Sequence, residues 1–288
     1  MPADTEDVVK PELTEAEEEE ARQRTSVKAH VVHEAVRLDG DSELERSFSA
    51  LATSGLAAGL SMGFSLIAEG LLRSHLPDTP WRPLIAKFGY SFGFLLVIIG
   101  RQQLFTENTL TAVLPVFARR NFATVAKMLR LWAIVLVANL AGAHIVAWVL
   151  GNTHAFQPEV QNAFAQIGHE SAAVSFSEAL IRGVFAGWLI AALVWMRAAL
   201  DSGHIPLIVL ITWLVAVGGF THIIAGSIDV LFLVMTGASS WMNWLTGYMV
   251  PVLIGNCLGG VSLVAVVNHA QVVAGEPVGK KELPNGAG

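Results

Sequence analysis

Charged residues and cysteine are both scarce in this chain of 288 residues. Asp, Glu, Lys and Arg make up only 15% of it and hydrophobic residues 53%, a balance too apolar for an ordinary water-soluble domain. The single cysteine, Cys257, excludes an intrachain disulfide, and its apolar surroundings indicate a packed thiol. The net charge of -6 is weighted by one acidic run at 15–20, so we expect no nucleic-acid partner.

Four long stretches carry no Asp, Glu, Lys or Arg at all. They are 47–68, 131–158, 202–228 and 230–275. A bilayer core needs about 20 apolar residues for each helix that crosses it, so these stretches predict an all-α membrane protein. Loops rich in Pro, Gly, Asn and Ser divide the apolar part into six predicted spans, at 48–72, 84–117, 122–150, 176–200, 205–236 and 242–268.

Two tails flank the six-span transmembrane domain, which we predict to cover 47–270. The N-terminal tail, 1–46, ends in apolar residues that alternate with polar ones between 31 and 38, which predicts an amphipathic helix. This helix can lie on the membrane surface or pack against a neighbouring subunit. The C-terminal tail is 271–288.

Basic residues indicate the orientation in the membrane. Lys and Arg are absent from 151–175 and 237–247, and they concentrate in the tails and in the 119–130 connection. The positive-inside rule then places both termini in the cytoplasm, as an even number of spans requires. Arg73, Arg82 and Lys87 argue against this, because they lie on a connection that this topology places outside. We expect a multi-pass protein of the inner, cytoplasmic membrane.

The second and fifth predicted spans are interrupted in their middles. The second is broken by Gly100-Arg101-Gln102-Gln103, and the fifth by Gly218-Gly219-Phe220-Thr221-His222. Backbone can leave helical geometry at membrane depth only where it faces protein or a water-filled cavity, since an unpaired polar group in lipid costs several kcal/mol. The two breaks are therefore expected to line a passage.

The breaks occupy equivalent places, each in the second span of one half of the protein. Both include a Phe-Thr pair, Phe105-Thr106 and Phe220-Thr221, and the spans that follow match weakly at 139–142 and 256–259. An odd number of spans per half puts the halves in opposite orientations, which is the inverted repeat of many transporters. The predicted fold is six transmembrane spans in two inverted three-span repeats, with the second and fifth helices broken.

His222 is the residue that most strongly indicates a function. Apart from His204 at the start of the segment, it is the only ionisable side chain between Asp201 and Asp229, and it lies at the second break. An ionisable group at membrane depth is costly, so a role in a pathway is the default interpretation. Histidine suits a pore for weak acids because it offers a polarised N–H without a permanent charge. The alternative is a neutral imidazole that hydrogen-bonds neighbouring helices.

Residues of the first break are candidates to act with His222. The hydroxyl of Thr106 can pair with the imidazole across the pseudo-two-fold axis, or it can satisfy its own loop backbone. Leu104 and Phe105 can form an apolar constriction, or they can belong to the packed core.

Arg101 and Glu107 flank the same break. They can pair with each other or with Asp229, and Arg101 can instead attract a substrate. The remaining histidines show no spacing that is typical of a metal site, so we expect neither a metal nor another cofactor.

Five stretches together resemble the formate/nitrite transporter family. They are Ser54-Gly55-Leu56-Ala57-Ala58-Gly59, Leu104-Phe105-Thr106, Ala192-Leu193-Val194-Trp195-Met196, Gly219-Phe220-Thr221-His222 and Pro251-Val252-Leu253-Ile254-Gly255-Asn256. The resemblance covers about 45–270, and the stretches follow the order of the family.

This resemblance implies a homopentamer of aquaporin-like subunits. Each subunit has its own pore for small monovalent anions of weak acids, such as formate, nitrite, hydrosulfide or lactate. The family's central histidine falls on His222, its partner threonine on Thr106, and its constriction on Leu104 and Phe105.

The sequence also departs from the family pattern. Gly187 and Gly226 stand where the family commonly has asparagines, and Thr221 stands where it has an acidic residue before the histidine. No Lys occurs in 151–175, where the resemblance places a vestibule lysine, and Ser171 stands nearest to that position. These substitutions remove groups that attract or hydrogen-bond an anion.

Two functions follow from these observations. The first is a channel or transporter for a small monovalent weak-acid anion, centred on His222, with Arg101, Gly187, Phe220, Thr221 and Gly226 as further pore positions. The second is a channel for small neutral solutes that has lost anion selectivity. An enzyme is not expected, because the ionisable groups within the spans form no nucleophile–base or metal pattern. The expected partners are the lipid bilayer, a small solute and further copies of the chain.

Overall fold

A computed structural model describes residues 14–17 and 27–266 of the chain, with side chains up to residue 262. The predicted C-terminal tail and most of the N-terminal tail lie outside the described residues. Within the described part the chain is helical, without a strand.

The helices follow one another along the whole described chain. In order they are α1 Ala29–Leu44, α2 Phe48–His75, α3 Arg82–Ala86, α4 Ser91–Ile99, α5 Phe105–Thr111, α6 Leu114–Arg119, α7 Phe122–Asn152, α8 Pro158–Ala172, α9 Phe176–Ala198, α10 His204–Val217, α11 Ala225–Met235 and α12 Val250–Leu258. A 3₁₀ turn, Lys87–Tyr90, joins α3 to α4, and π-helical segments, Asn243–Met249 and Gly259–Val266, flank α12.

Five helical stretches of the described chain are long and apolar enough to cross a membrane. They are Phe48–His75, Arg82–Ile99, Phe122–Asn152, Phe176–Ala198 and Asn243–Ser262. The remaining predicted span consists of two shorter apolar helices, His204–Val217 and Ala225–Met235. The six predicted spans are therefore present. The fifth is broken, so neither of its two helices is long enough to cross a membrane alone.

Both predicted breaks are confirmed. The backbone leaves helical geometry between the end of α4 and the start of α5, over 100–104, and again between α10 and α11, over 218–224. Each turn contains one residue with a positive φ, Arg101 at 49° and Gly219 at 61°. These left-handed residues turn the chain within each break, before α5 and α11 begin.

Two buried asparagines hold the breaks and define the inverted repeat. Asn139 on α7 accepts the N–H of Phe105 at 2.9 Å and donates to the carbonyl of Gln103 at 2.8 Å. Asn256 on α12 accepts the N–H of Ile223 at 2.9 Å and donates to the carbonyl of Thr221 at 2.9 Å. Each therefore satisfies the N–H and C=O groups that its broken helix frees.

These hydrogen bonds fix how the two halves correspond. Gln103 matches Thr221 and Phe105 matches Ile223, so Leu104 occupies the place of His222. The predicted correspondence of Asn139 with Asn256 agrees with this register. The alignment of Phe105-Thr106 with Phe220-Thr221 was wrong by three residues, because a short sequence match does not report which backbone groups share a partner.

Two close contacts between long helices are related by the same inverted repeat. A Cβ atom on Gly59 of α2 would collide with the backbone of Asn139, and one on Gly187 of α9 would collide with the backbone of Asn256. Because these glycines lack a side chain, α2 packs closely on α7 and α9 packs closely on α12. We call Asn139 and Asn256, with their hydrogen bonds to the breaks, the asparagine clamps.

The amphipathic segment of the N-terminal tail forms α1, which packs on its own subunit. Val32, Val36 and Leu44 are buried, and α1 contacts α5, α6, α7 and α9. Asp41 forms an ion pair with Arg119 at 2.8 Å. The sequence analysis considered two positions for this helix, the membrane surface and a neighbouring subunit. In the structure it packs instead on helices of its own chain.

The connection 151–175, between the third and fourth predicted spans, is largely helical. It contains the amphipathic helix α8, which packs on α2 and α11 through side chains such as the fully buried Phe164. The ring of Phe164 contacts those of Phe156 and Phe232, with centroids 5.4 and 5.7 Å apart. This helix is too polar to be predicted as a membrane span.

Candidate functional site

Two cavities enter the protein from opposite ends. The tail-side cavity, about 710 Å³, lies beneath α1 and is lined by Glu43, Arg101, Gln103, Glu107, Asn108 and Arg197, among others. The distal cavity, about 250 Å³, is lined by Glu69, Tyr90, Arg182, His222, Asp229 and Tyr248, among others. His204 at the start of α10 lines the first cavity and Val217 at its end lines the second, a helical rise of about 20 Å.

The two breaks meet between these cavities at a single side-chain hydrogen bond. The imidazole Nε2 of His222 lies 2.8 Å from the hydroxyl Oγ1 of Thr106. Both residues are buried, with exposed fractions of 1% and 0%. The structure thus brings together the two polar residues that the sequence analysis paired.

The backbone of α11 selects the tautomer of His222. Its Nδ1 atom accepts the N–H groups of Ile224 at 3.3 Å and Ala225 at 3.2 Å, so this nitrogen presents its lone pair. The proton of the neutral ring is then on Nε2, which donates it to Thr106. Among the described residues the Thr106 hydroxyl proton has no acceptor.

Buried apolar residues neighbour this pair, Phe94 in space and Leu104 and Phe105 along the chain. The ring of Phe94 lies edge-on to the imidazole, with centroids 5.0 Å apart, and it is fully buried. Leu104 and Phe105 are buried as well, and the ring of Phe105 packs against that of Trp132 at 5.7 Å. Sequence analysis missed Phe94, because its place in an unbroken apolar run gives no sign of its contact with His222.

Besides Gly219 and His222, the second break contributes Phe220 and Thr221 to the lining of the distal cavity. The ring of Phe220 stacks on that of Phe185 with centroids 5.2 Å apart. The hydroxyl of Thr221 donates to the carbonyl of Ala179 at 2.7 Å, and it therefore ties the break to α9.

Of the alternatives open for Arg101 and Glu107, the structure excludes a pairing of these two residues with each other. Glu107 forms its ion pair with Arg197 at 3.5 Å in the tail-side cavity. Asp229 lies on the distal side, where it accepts a hydrogen bond from Ser171 at 3.0 Å. Arg101 lines the tail-side cavity and is exposed, because its left-handed conformation turns the chain there.

The two glycines that replace family asparagines have different surroundings. Gly226 lines the distal cavity, and a Cβ atom there would overlap the hydroxyl group of Tyr248. That hydroxyl donates to the carbonyl of His222 at 3.4 Å, so a tyrosine from the sixth span fills the space. Gly187 lines neither cavity and lies at the contact with Asn256.

A chain of side-chain hydrogen bonds joins α1 to the first break. The Gln103 amide donates to Glu43 at 2.8 Å and accepts from the amide of Asn108 at 2.9 Å. Gln103 also donates its backbone N–H to Ser54 at 3.1 Å. The contact of Gln103 with Glu43 could not be predicted from the sequence, because the two residues lie 60 positions apart along the chain.

Metal ligands do not gather at this site. Over the residues that the structure describes, no group of three or more His, Cys, Asp or Glu side chains is arranged to hold a metal ion. The chemistry available to the site is hydrogen bonding and charge.

Two cavities that approach a buried polar pair between broken half-helices define a membrane channel or transporter. The chain belongs to the formate/nitrite transporter family, whose sequence model matches residues 30–270. This confirms the resemblance noted in the sequence and shows a transport protein rather than an enzyme.

Two relatives illustrate the range of similarity. The inner membrane protein YfdC of Escherichia coli K12 is 43% identical over 249 residues, which cover 86% of this chain and 80% of that protein. The formate channel BtFdhC of Bacillus thuringiensis is 25% identical over 251 residues, which cover 84% of this chain and 95% of that protein.

Solved structures confirm the fold. A pentameric formate channel with formate bound matches with a TM-score of 0.65 and 21% identity, over 79% of this chain and 100% of that one. An ion channel of the same family matches with a TM-score of 0.65 and 20% identity, over 84% of this chain and 96% of that one. The predicted aquaporin-like architecture is therefore present.

Proposed function

We propose that the chain conducts a small monovalent weak acid across the inner membrane, past the hydrogen-bonded pair of His222 and Thr106. The observation that carries this proposal is the 2.8 Å contact between these side chains, buried where two cavities approach each other. Formate channels among the relatives indicate the size and chemistry of the solute.

The central pair favours a solute that offers an electron-rich oxygen. Helix α11 begins beside the imidazole, so the positive end of its dipole lies behind His222. The hydroxyl proton of Thr106 is the donor that such an oxygen can use, because the Nε2–H of His222 is already donated to Thr106. A half-helix end at the midplane is where many transporters bind anionic groups.

The apolar surroundings select against hydrated ions. Phe94, Leu104 and Phe105 offer no hydrogen bond from their side chains, so an ion that passes them must shed water without replacement. A weak acid can cross such a region when a proton neutralises its negative charge or a hydrogen bond stabilises that charge. This makes a weak acid a better solute than the anion of a strong acid.

The second candidate is a channel for small neutral solutes. Its supporting observation is the distal cavity, where Glu69, Glu170 and Asp229 outnumber Lys87 and Arg182 among the lining residues. Such a lining does not concentrate anions. Formamide, which matches formate in size and lacks its charge, is the appropriate probe.

Assembly and orientation belong to the same proposal. The solved relative is titled a pentameric formate channel, and we infer a homopentamer in the bilayer with one pathway per subunit. We infer the inner membrane from YfdC, and the distribution of Lys and Arg supports cytoplasmic termini. The tail-side cavity then faces the cytoplasm.

Uptake into proteoliposomes tests the central pair. We expect radiolabelled formate uptake to fall about 10-fold in Thr106→Val, which keeps the side-chain shape but removes a hydrogen bond worth about 1.5 kcal/mol. His222→Asn should lose more, because it also removes the ring that packs on Phe94. Thr212→Val is the matched control, since Thr212 is a fully buried threonine whose hydroxyl bonds to Ser91 and to the carbonyl of Ile208 and not to His222.

The result that contradicts the proposal is equal uptake by the wild-type protein and both central variants. Osmotic swelling with formamide, without formate uptake, would select the neutral-solute channel instead.

A further inference from the structure

Asp229 is a buried carboxylate with an unused oxygen. Its exposed fraction is 7%, and it lines the distal cavity from the second turn of α11. Its Oδ2 atom accepts from Ser171 at 3.0 Å. Among the described residues the other carboxylate oxygen has no hydrogen-bond or ion-pair partner, so it is available to a ligand.

The other acidic side chains of this cavity are neutralised by nearby cations. Glu69 pairs with Lys87 at 3.5 Å, and Glu170 pairs with Arg73 at 2.6 Å. Within the described residues, Arg182 and Asp229 are the lining charges without an ion pair. Arg182 is partly exposed beside the Gly219 turn, whereas Asp229 is buried.

Both tyrosines of the chain line the same cavity. Tyr248 and Tyr90 are buried, with exposed fractions of 3% and 8%. The hydroxyl of Tyr248 donates to the carbonyl of His222, whereas the hydroxyl of Tyr90 has no partner among the described residues. The cavity thus offers a free donor or acceptor hydroxyl in addition to the free oxygen of Asp229.

A carboxylate and a phenol recognise different parts of an undissociated acid. The O–H group of the acid can donate to the free oxygen of Asp229, and its carbonyl oxygen can accept from the hydroxyl of Tyr90 or from Arg182. The dissociated anion has no proton to donate, and its charge would face the charge of Asp229 in a confined space. The cavity therefore distinguishes the acid from its anion.

We propose that Asp229 determines specificity: the distal cavity takes a small weak acid in its undissociated form, with the acid O–H hydrogen-bonded to the free carboxylate oxygen. This inference rests on the proposed function, and it names the chemical form of the solute on the distal side. The acid keeps its proton throughout, so no covalent bond forms or breaks in the protein. Transport on this route moves no net charge.

Asp229→Asn tests the inference, because it keeps the shape and an oxygen for Ser171 but removes the charge. Wild-type protein in planar bilayers should carry no current with formate or nitrate, while proteoliposomes take up labelled formate. Nitrate is the informative probe, since the anion of a strong acid cannot cross as a neutral molecule. In Asp229→Asn we expect formate and nitrate currents at least 10-fold above the wild-type level.

Ser171→Ala is the matched control. It removes the hydroxyl that donates to Asp229 and leaves the carboxylate of Asp229 in place. The formate and nitrate currents of this variant should therefore stay at the wild-type level. Size-exclusion profiles of all three proteins identify any loss of assembly.

Two outcomes overturn the inference. One is a nitrate or formate current through the wild-type protein, which decides the question even if the Asn variant fails to assemble. The other is an assembled Asp229→Asn protein that stays as electrically silent as wild type while it takes up formate. Absence of wild-type uptake of any labelled weak acid would instead overturn the proposed function, and this inference with it.

Discussion

Replacement of Asn256 by leucine is expected to destabilise the protein severely. The Asn256 side chain is fully buried, and it bonds the N–H of Ile223 and the carbonyls of Thr221 and Gly183, each at 2.9 Å. Leucine of similar size leaves these three backbone groups without a partner. Each such group costs about 1–3 kcal/mol, so the total is about 3–9 kcal/mol.

That range is comparable with the whole unfolding free energy of a typical domain, about 5–15 kcal/mol. The assay is thermal unfolding in detergent, followed by the fluorescence of the 8 tryptophans. Asn139→Leu should show a loss of similar size, because Asn139 makes the same three kinds of hydrogen bond, including one to the carbonyl of Gly55 at 2.7 Å.

Cys257→Ala is the control, since this neighbour of Asn256 is partly exposed and makes no such bonds. Its Tm should stay within about 2 °C of wild type. If Asn256→Leu kept both the wild-type Tm and the wild-type formate uptake, the asparagine clamps would not be what holds the breaks.

Two further predictions concern residues packed around His222. Gly226→Ala should lower the Tm, because its Cβ atom meets the hydroxyl of Tyr248, and the added change Tyr248→Phe should restore part of the loss by removing the atom nearest to that Cβ. Equal Tm values for the single and double variants would exclude this contact as the cause. Added to Asp229→Asn, Phe94→Ala should increase the nitrate current further by removing the buried ring that packs on His222, as bilayer current measurements can show. Unchanged conductance would mean that the constriction is formed elsewhere.

The pairing of Thr106 with His222 was accessible from the sequence because each residue lies at a visible break. Gly100 and Gly218 mark those breaks locally, and a polar residue at membrane depth is conspicuous in an apolar run. The family resemblance pointed to the same two positions.

The neighbours of this pair were not accessible in the same way. Phe94 and Tyr248 look like ordinary apolar or interfacial residues in their own spans. Their roles follow from contacts across the fold, at 5.0 Å between the rings of Phe94 and His222 and at 3.4 Å from Tyr248 to the carbonyl of His222. The effect of having glycine at position 226 can therefore be explained only from the structure, where the hydroxyl of Tyr248 fills the space that a side chain would occupy.

The sequence by itself determined the six spans, the two breaks and the central histidine. These features depend on local hydrophobicity, on glycine and on the cost of placing a polar group in lipid, all of which can be read along the chain. Tertiary structure decided the register of the inverted repeat, the placement of α1 and the lining of the two cavities. Those depend on hydrogen bonds such as that of Asn256 with Thr221, which join residues that only folding brings together.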